Sequence, residues 1–152
     1  GAGVHYDNKI GAFKVRGRAF YESLTNSSTS EGAWQVGGSV KHDSGISLTG
    51  VYGQSLAVDG AEDDARWAAT VGYTANLNAL GPTGIGVNVS GSQDRTVVGS
   101  EAIAVGLGFN QQIKGAGTNI YGNVAFWDVD LPSSQTPLDQ VVTMLVGMQV
   151  KF

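Results

Sequence analysis

Residues 141–152, at the end of the chain, read Val-Val-Thr-Met-Leu-Val-Gly-Met-Gln-Val-Lys-Phe. Every second residue counted back from the end is apolar: Phe152, Val150, Met148, Val146, Met144 and Val142. The positions between them are mainly small or polar, as at Gly147, Gln149 and Lys151. Because successive side chains of a strand point to opposite faces, this alternation predicts a β-strand with one apolar and one polar face.

The same alternation recurs along the whole chain, and no helical period accompanies it. It predicts a partial strand in 1–7 and eight full strands over 12–23, 33–42, 46–54, 65–77, 84–93, 100–112, 118–128 and 141–152. Most of these segments have about 9–13 residues, the length that a tilted strand needs to cross a membrane. Strands of soluble proteins most often have about 5–6 residues. The pattern therefore favours a single domain, 1–152, that is all-β: an antiparallel up-and-down transmembrane β-barrel.

Composition agrees with a membrane barrel. Charged residues make up only 14% of the chain, against roughly 25% in soluble domains, and no apolar run approaches the ~18 residues of a spanning helix. A soluble ligand-binding barrel is the alternative, but its outer face should be charged. The net charge of −4 argues against a nucleic-acid partner, and the absence of cysteine excludes thiolate sites.

The expected connections alternate between long and short, and aromatic residues mark both ends of the apolar faces. Segments 25–32, 55–64 and 129–140 are expected to be long loops, whereas 43–45 and 114–117 are short turns. Outer-membrane barrels have short periplasmic turns and longer extracellular loops, so the chain is expected to end on the periplasmic side. Phe13 and Tyr21, like Trp67 and Tyr73, lie where two aromatic girdles would meet the membrane boundaries.

The closing strand resembles the C-terminal assembly signal of bacterial outer-membrane barrels, a terminal Phe preceded by alternating apolar residues. The resemblance implies that Met144, Val146, Met148, Val150 and Phe152 form a membrane-insertion signal. Other segments are similar to the C-terminal half of Gram-negative general porins of the alphaproteobacterial type. These are Val-His-Tyr-Asp-Asn (4–8) with Gly-Ala-Phe (11–13), Ala-Leu-Gly-Pro-Thr-Gly-Ile-Gly-Val (79–87) and Gly-Ser-Glu-Ala-Ile-Ala-Val-Gly-Leu-Gly-Phe-Asn-Gln-Gln-Ile (99–113).

This resemblance implies an outer-membrane, sixteen-stranded, trimeric barrel for passive diffusion of small hydrophilic solutes, and not an enzyme. Its implied partners are outer-membrane lipid and lipopolysaccharide, the barrel-assembly machinery, small polar solutes and two further copies of the chain. The family's constriction loop comes from an N-terminal half that this sequence does not contain. The alternative is a small closed eight-stranded barrel with a structural or adhesive role, in which 141–152 pairs with 12–23 and 1–7 is a tail.

Lys14, Arg16 and Arg18 are the main candidates for function. Their spacing of two places all three on the face opposite Phe13 and Val15, which points into the lumen if the apolar face meets lipid. A row of cations lining a wide pore would favour anions. Gln35, Lys41 and Arg66 share this inward phase and are further pore-lining candidates. In a closed small barrel the cations would instead form a structural network with Glu22 or Glu101.

The acidic segment 59–64 and the two histidines carry weaker signals. Asp59, Glu62, Asp63 and Asp64 supply enough oxygens for calcium, but their spacing differs from that of known calcium loops. A solvated extracellular loop without metal is the expected state, and a bound calcium ion or divalent-cation bridging to lipopolysaccharide is the alternative. His5 and His42 are isolated, so neither a catalytic group nor a cofactor is predicted.

Overall fold

A computed structural model of the chain describes residues 1–26, 29–56, 64–94, 97–132 and 139–151. They form nine strands: β1 (Ala2–Ile10), β2 (Phe13–Asn26), β3 (Thr29–His42), β4 (Ile46–Leu56), β5 (Asp64–Asn78), β6 (Gly81–Gln93), β7 (Glu101–Ile113), β8 (Thr118–Asp130) and β9 (Val141–Val150). In the described ranges no helix is long and apolar enough to cross a membrane.

The nine strands make one antiparallel sheet in which each strand pairs with its neighbours in sequence. This confirms the all-β, up-and-down architecture with two corrections. The segment 1–7 belongs to a full strand, because β1 continues through Asn8 and Lys9 and turns only after Ile10. The pairing of 141–152 with 12–23 is wrong, because β2 is paired on both sides and β9, among the described residues, pairs with β8 alone.

Strand register divides the sheet into two chemically distinct faces. On one, the apolar face, a single row crosses eight strands: Val15, Val40, Leu48, Val71, Val87, Leu107, Val124 and Met144. On the other, the polar face, an adjacent row reads Arg16, Ser39, Thr49, Thr70, Asn88, Gly106, Ala125 and Thr143. Directly paired residues share a face, so the period-two pattern of each strand becomes a property of the whole sheet.

The apolar face is exposed rather than packed into a core. Met144 is 77% exposed and Val71 57%, whereas Ala104, on the polar face, is only 2% exposed. No large side chain among the described residues is completely buried. The accessible surface is 10339 Å², while a soluble monomer of this mass would expose about 7,300 Å². A sheet that exposes so many apolar side chains requires an apolar environment against its apolar face.

Connection lengths differ between the two ends of the sheet. At the end that holds the β1–β2 turn, all connections have between two and four residues. At the opposite end the later connections have between seven and ten. The expected long loop 25–32 is wrong, because Thr25 and Asn26 pair with Ser30 and Thr29 and lengthen the β2–β3 hairpin.

The short β3–β4 turn depends on one glycine. Gly45 has a φ of +97°, and a side chain there would clash with the carbonyl oxygen of Thr74. The Thr74 amide in turn donates to the carbonyl oxygen of Gly45 at 3.0 Å. Only glycine combines this backbone conformation with such a close approach.

Aromatic residues lie at opposite ends of the apolar face, as the sequence predicts. At the long-connection end they cross four adjacent strands as Tyr21, Trp34, Tyr52 and Trp67. The Trp34 and Tyr52 rings lie 5.3 Å apart between centroids. At the short-turn end Phe13 lies against His42, with 4.8 Å between ring centroids. This end also carries Tyr73, which pairs with Ile46 at the start of β4. Two such belts are expected where a sheet meets both boundaries of a bilayer.

Candidate functional site on the polar face

The polar face of β1–β3 carries a dense set of cations, here called the basic strip: Lys9, Lys14, Arg16, Arg18 and Lys41. Because side chains alternate along β2, Lys14, Arg16 and Arg18 point to the same face. The strand register places Lys9 of β1 and Lys41 of β3 on that face as well. Four are the predicted residues Lys14, Arg16, Arg18 and Lys41. Lys9 is not among the predicted residues, because the predicted partial strand ends at residue 7 whereas β1 continues to Ile10.

Three lysines of the strip form one row across the strands. Lys14 lies directly opposite Lys9 on one side and Lys41 on the other. Like charges in this arrangement repel and destabilise a sheet. Asp43 in the β3–β4 turn relieves part of the repulsion, because both its carboxylate oxygens lie 3.0 Å from Lys9 Nζ. Lys41 makes no ion pair with any described residue.

Asp7 is the carboxylate that contacts Arg16 and Lys14 of the basic strip, and the sequence did not identify it. Its Oδ2 accepts a hydrogen bond from Arg16 Nε at 2.9 Å, and its Oδ1 lies 3.7 Å from Lys14 Nζ. The predicted partners do not take this role. Glu101 lies in the same phase as Ile103, on the apolar face, and Glu22 makes no ion pair with a described residue. Both sides of the Asp7–Arg16 pair are about half exposed, so solvent weakens it.

Arg18 is the guanidinium that has no partner among the described residues. Register places it opposite His5 on β1 and opposite Gly37 on β3. With Arg16, Ser39 and others it lines a cleft of about 380 Å³. Gly37 has no side chain to cover Arg18, so the guanidinium is open to solvent.

The remaining two pore-lining candidates lie in one row farther along the polar face. Gln35 faces Gly53, and Gly53 faces Arg66 on β5. One guanidinium nitrogen of Arg66 donates to Ser55 Oγ and to Asp64 Oδ2, both at 3.1 Å. Arg66 is therefore held by a carboxylate two residues away and lies apart from the basic strip.

Of the remaining predicted residues, the structure describes those in β9 and one acidic residue. Met144, Val146, Met148 and Val150 lie on the apolar face of β9 and are exposed, while Phe152 lies outside the described residues. Asp59, Glu62 and Asp63 also lie outside them. Asp64 is the described member of that set, and it accepts from the Ser55 amide at 3.0 Å. No cluster of metal-ligating side chains occurs in the part of the chain that the structure describes.

Comparison with known proteins identifies the sheet. A search of curated proteins and a search of solved structures return no match. The family described as Gram-negative porin matches residues 1–130, which extend from β1 to the end of β8. The match covers most of the chain and agrees with the antiparallel sheet, its exposed apolar face and its paired aromatic belts. The chain belongs to the Gram-negative porin family and is a channel protein of the bacterial outer membrane.

Proposed function

We propose that the polar face lines a water-filled pore through which small hydrophilic solutes diffuse passively, and that the basic strip makes this pore prefer anions. The observation that carries the proposal is the separation of charge between the two faces. Charged side chains in the described strands lie on the polar face, with Glu101, Asp128 and Asp130 at the long-connection end of the apolar face as exceptions. Such a sheet suits lipid on one side and water on the other.

The anion preference rests on an excess of cations that solvent can reach. The basic strip has five cations, and the described carboxylates that pair with them are two, Asp7 on β1 and Asp43 in the β3–β4 turn. Fixed charges along a pore raise the local concentration of counter-ions and set an electrostatic barrier for ions of the same sign. The strip therefore favours small anions over cations, most strongly at low ionic strength.

Connection lengths support an orientation in which the short-turn end and the C-terminus face the periplasm. Outer-membrane barrels have short turns on that side and longer loops outside the cell. In this orientation the barrel-assembly machinery would recognise the alternating apolar residues of β9 from the periplasm. The long connections would lie near lipopolysaccharide, and three copies would assemble as a homotrimer in the lipid.

Conductance across a planar bilayer tests the proposed function. Protein purified from outer membranes should produce stepwise currents, and its reversal potential in a salt gradient should indicate anion preference. Replacing Arg16 and Arg18 together by glutamine should reduce that preference, because two solvent-accessible cations are lost. Lys114→Gln, in the β7–β8 turn, removes a cation away from the strip and serves as the control.

Two outcomes would contradict the proposal separately. Correctly assembled protein that gives no stepwise current would exclude the channel function. A reversal potential unchanged by the double Arg16→Gln and Arg18→Gln replacement would exclude the anion preference while leaving the channel in place.

A further inference from the structure

The polar face has a second half whose chemistry differs from that of the basic strip. In the described strands every charged residue of the polar face lies on β1–β5, and β6–β9 contribute none. This uncharged half instead presents carboxamides and two aromatic residues: Asn88, Asn110, Gln112, Asn119, Asn123, Gln149, Tyr121 and Trp127. A pore wall past which water and ions simply diffuse does not need so many amide side chains.

A row of glycines makes a groove in this half. Gly72, Gly86 and Gly108 pair directly across β5, β6 and β7, so three adjacent strands carry no side chain there. Asn88 and Asn110 lie on either side of the groove, two residues from Gly86 and Gly108 along their strands. These glycines and amides line a cleft of about 570 Å³, within the ~300–1,000 Å³ usual for small-molecule sites.

The amides around the groove are available to a ligand. Asn110 and Asn123 make no hydrogen bond to any described residue, and both are exposed. Asn88 donates to Thr70 Oγ1 at 3.0 Å, which leaves its carbonyl oxygen as an acceptor. A carboxamide offers two donors and one acceptor oxygen on the same planar group. That combination matches a hydroxyl, which also donates and accepts.

The two aromatic residues are held flat against the sheet. The Tyr121 ring occupies the space above Gly147, where a side chain would lie 2.5 Å from Tyr121 Cζ. Trp127 Nε1 donates to Thr143 Oγ1 at 3.0 Å on the neighbouring strand. Both residues lie on β8 and on the same face, six residues or about 20 Å apart. The Tyr121 ring therefore lies beside the free amide of Asn110, its cross-strand partner, and Trp127 lines the same cleft farther along β8.

We infer that this groove binds neutral sugars, with the amides hydrogen-bonding to hydroxyl groups and the Tyr121 and Trp127 rings packing against the C–H face of a pyranose. The described strands of this half carry no charged side chain that would attract an anion or a metal ion, and the free amides make it unsuitable for a purely apolar ligand. Two rings about 20 Å apart along one strand suit an oligosaccharide better than a single sugar. The inference rests on the proposed channel function, because the sugar reaches the groove through the pore.

Current recordings of the assembled channel with maltotriose test the inference. The sugar should interrupt the ionic current of the wild-type channel in a concentration-dependent manner, whereas polyethylene glycol of similar mass should not bind. Tyr121→Ala should weaken the apparent affinity for maltotriose roughly three- to tenfold, the range expected for one aromatic contact. Tyr121→Phe should retain it, since the ring remains.

Phe20→Ala is the matched control, because Phe20 is a similarly exposed aromatic residue of the polar face but lies on β2, in the charged half. Double replacement of Asn110 and Asn123 by alanine provides an independent test that leaves both rings in place, and it should also weaken binding. A conducting wild-type channel that maltotriose does not affect would overturn the sugar site and leave the channel function standing. Failure to conduct at all would overturn the channel function and the site together.

Discussion

Removing the Asp7 carboxylate should increase anion preference without unfolding the sheet. Asp7→Asn keeps the size of the side chain but deletes the one negative charge that lies against Arg16 and Lys14. The partners are between 45% and 58% exposed, and an exposed ion pair contributes only about 0–1 kcal/mol to stability. The variant should therefore assemble normally, so that any change in selectivity reports on charge.

The size of the effect follows from distance and screening. A unit charge about 6 Å from the path of an ion changes the ion's energy by about 0.7 kcal/mol in water. At 0.1 M ionic strength the Debye length of about 10 Å reduces this to about 0.4 kcal/mol. The local anion concentration then rises about twofold and that of cations falls about twofold, so the permeability ratio increases about fourfold. In 1 M salt the same estimate gives only about a 1.4-fold change.

Reversal potentials in salt gradients centred on these two concentrations provide the assay. Asp128→Asn is the matched control, because it deletes the same charge from the apolar face of β8, in phase with Phe126 and away from the strip. An Asp7→Asn channel with wild-type selectivity at 0.1 M would refute the location of the strip in the pore. An equal shift at 0.1 M and 1 M would refute the electrostatic explanation, since a change in pore shape is not screened by salt.

Two further predictions test the faces of the sheet and one of its packing contacts. Val71→Arg, on the apolar face, should destabilise the membrane-inserted protein by about 2–4 kcal/mol if residue 71 lies near the bilayer midplane. Thr70→Arg, on the polar face, should assemble normally. The heat-modified mobility of folded barrels in gels distinguishes the two variants, and equal behaviour would contradict the assignment of faces. Gly91→Ala should lower the unfolding midpoint in denaturant by the equivalent of about 1–3 kcal/mol, because the new methyl group would lie 2.6 Å from Trp67 Nε1, while Gly50→Ala meets no atom within 4 Å and should cost less than half as much.

The sequence was sufficient to predict the faces of the sheet but not every strand boundary. Period-two alternation assigns each side chain to a face whatever the strand length, so the apolar row through Val15 and Val71 was recoverable. The β2–β3 hairpin was not, because Thr25, Asn26 and Thr29 have the composition of a loop. Whether such residues form a strand depends on their pairing with a neighbouring strand, which is a property of the tertiary structure rather than of the local sequence.

For the candidate site, the sequence predicts which residues of a single strand share a face, but not which residues of neighbouring strands lie beside them. The spacing of Lys14, Arg16 and Arg18 was enough to group them, since residues two apart in a strand share a face. Asp7 and Lys9 required the register of the β1–β2 hairpin, which depends on a turn of two residues rather than four. A hairpin register shifted by one residue would place both on the opposite face, so no local pattern could assign their contacts.

The charged and uncharged halves of the polar face are far enough apart to act independently. From β2, which carries three cations of the strip, to β7, which carries Asn110, there are five strand spacings, or about 24 Å along the sheet. That distance exceeds two Debye lengths at 0.1 M salt, so the field of the β2 cations is largely screened at Asn110 and at Tyr121 one strand farther. Ion selectivity should therefore respond to Asp7 and not to Tyr121, and sugar affinity should respond in the opposite way. A channel carrying both substitutions should show the two changes added, because neither contact lies within reach of the other.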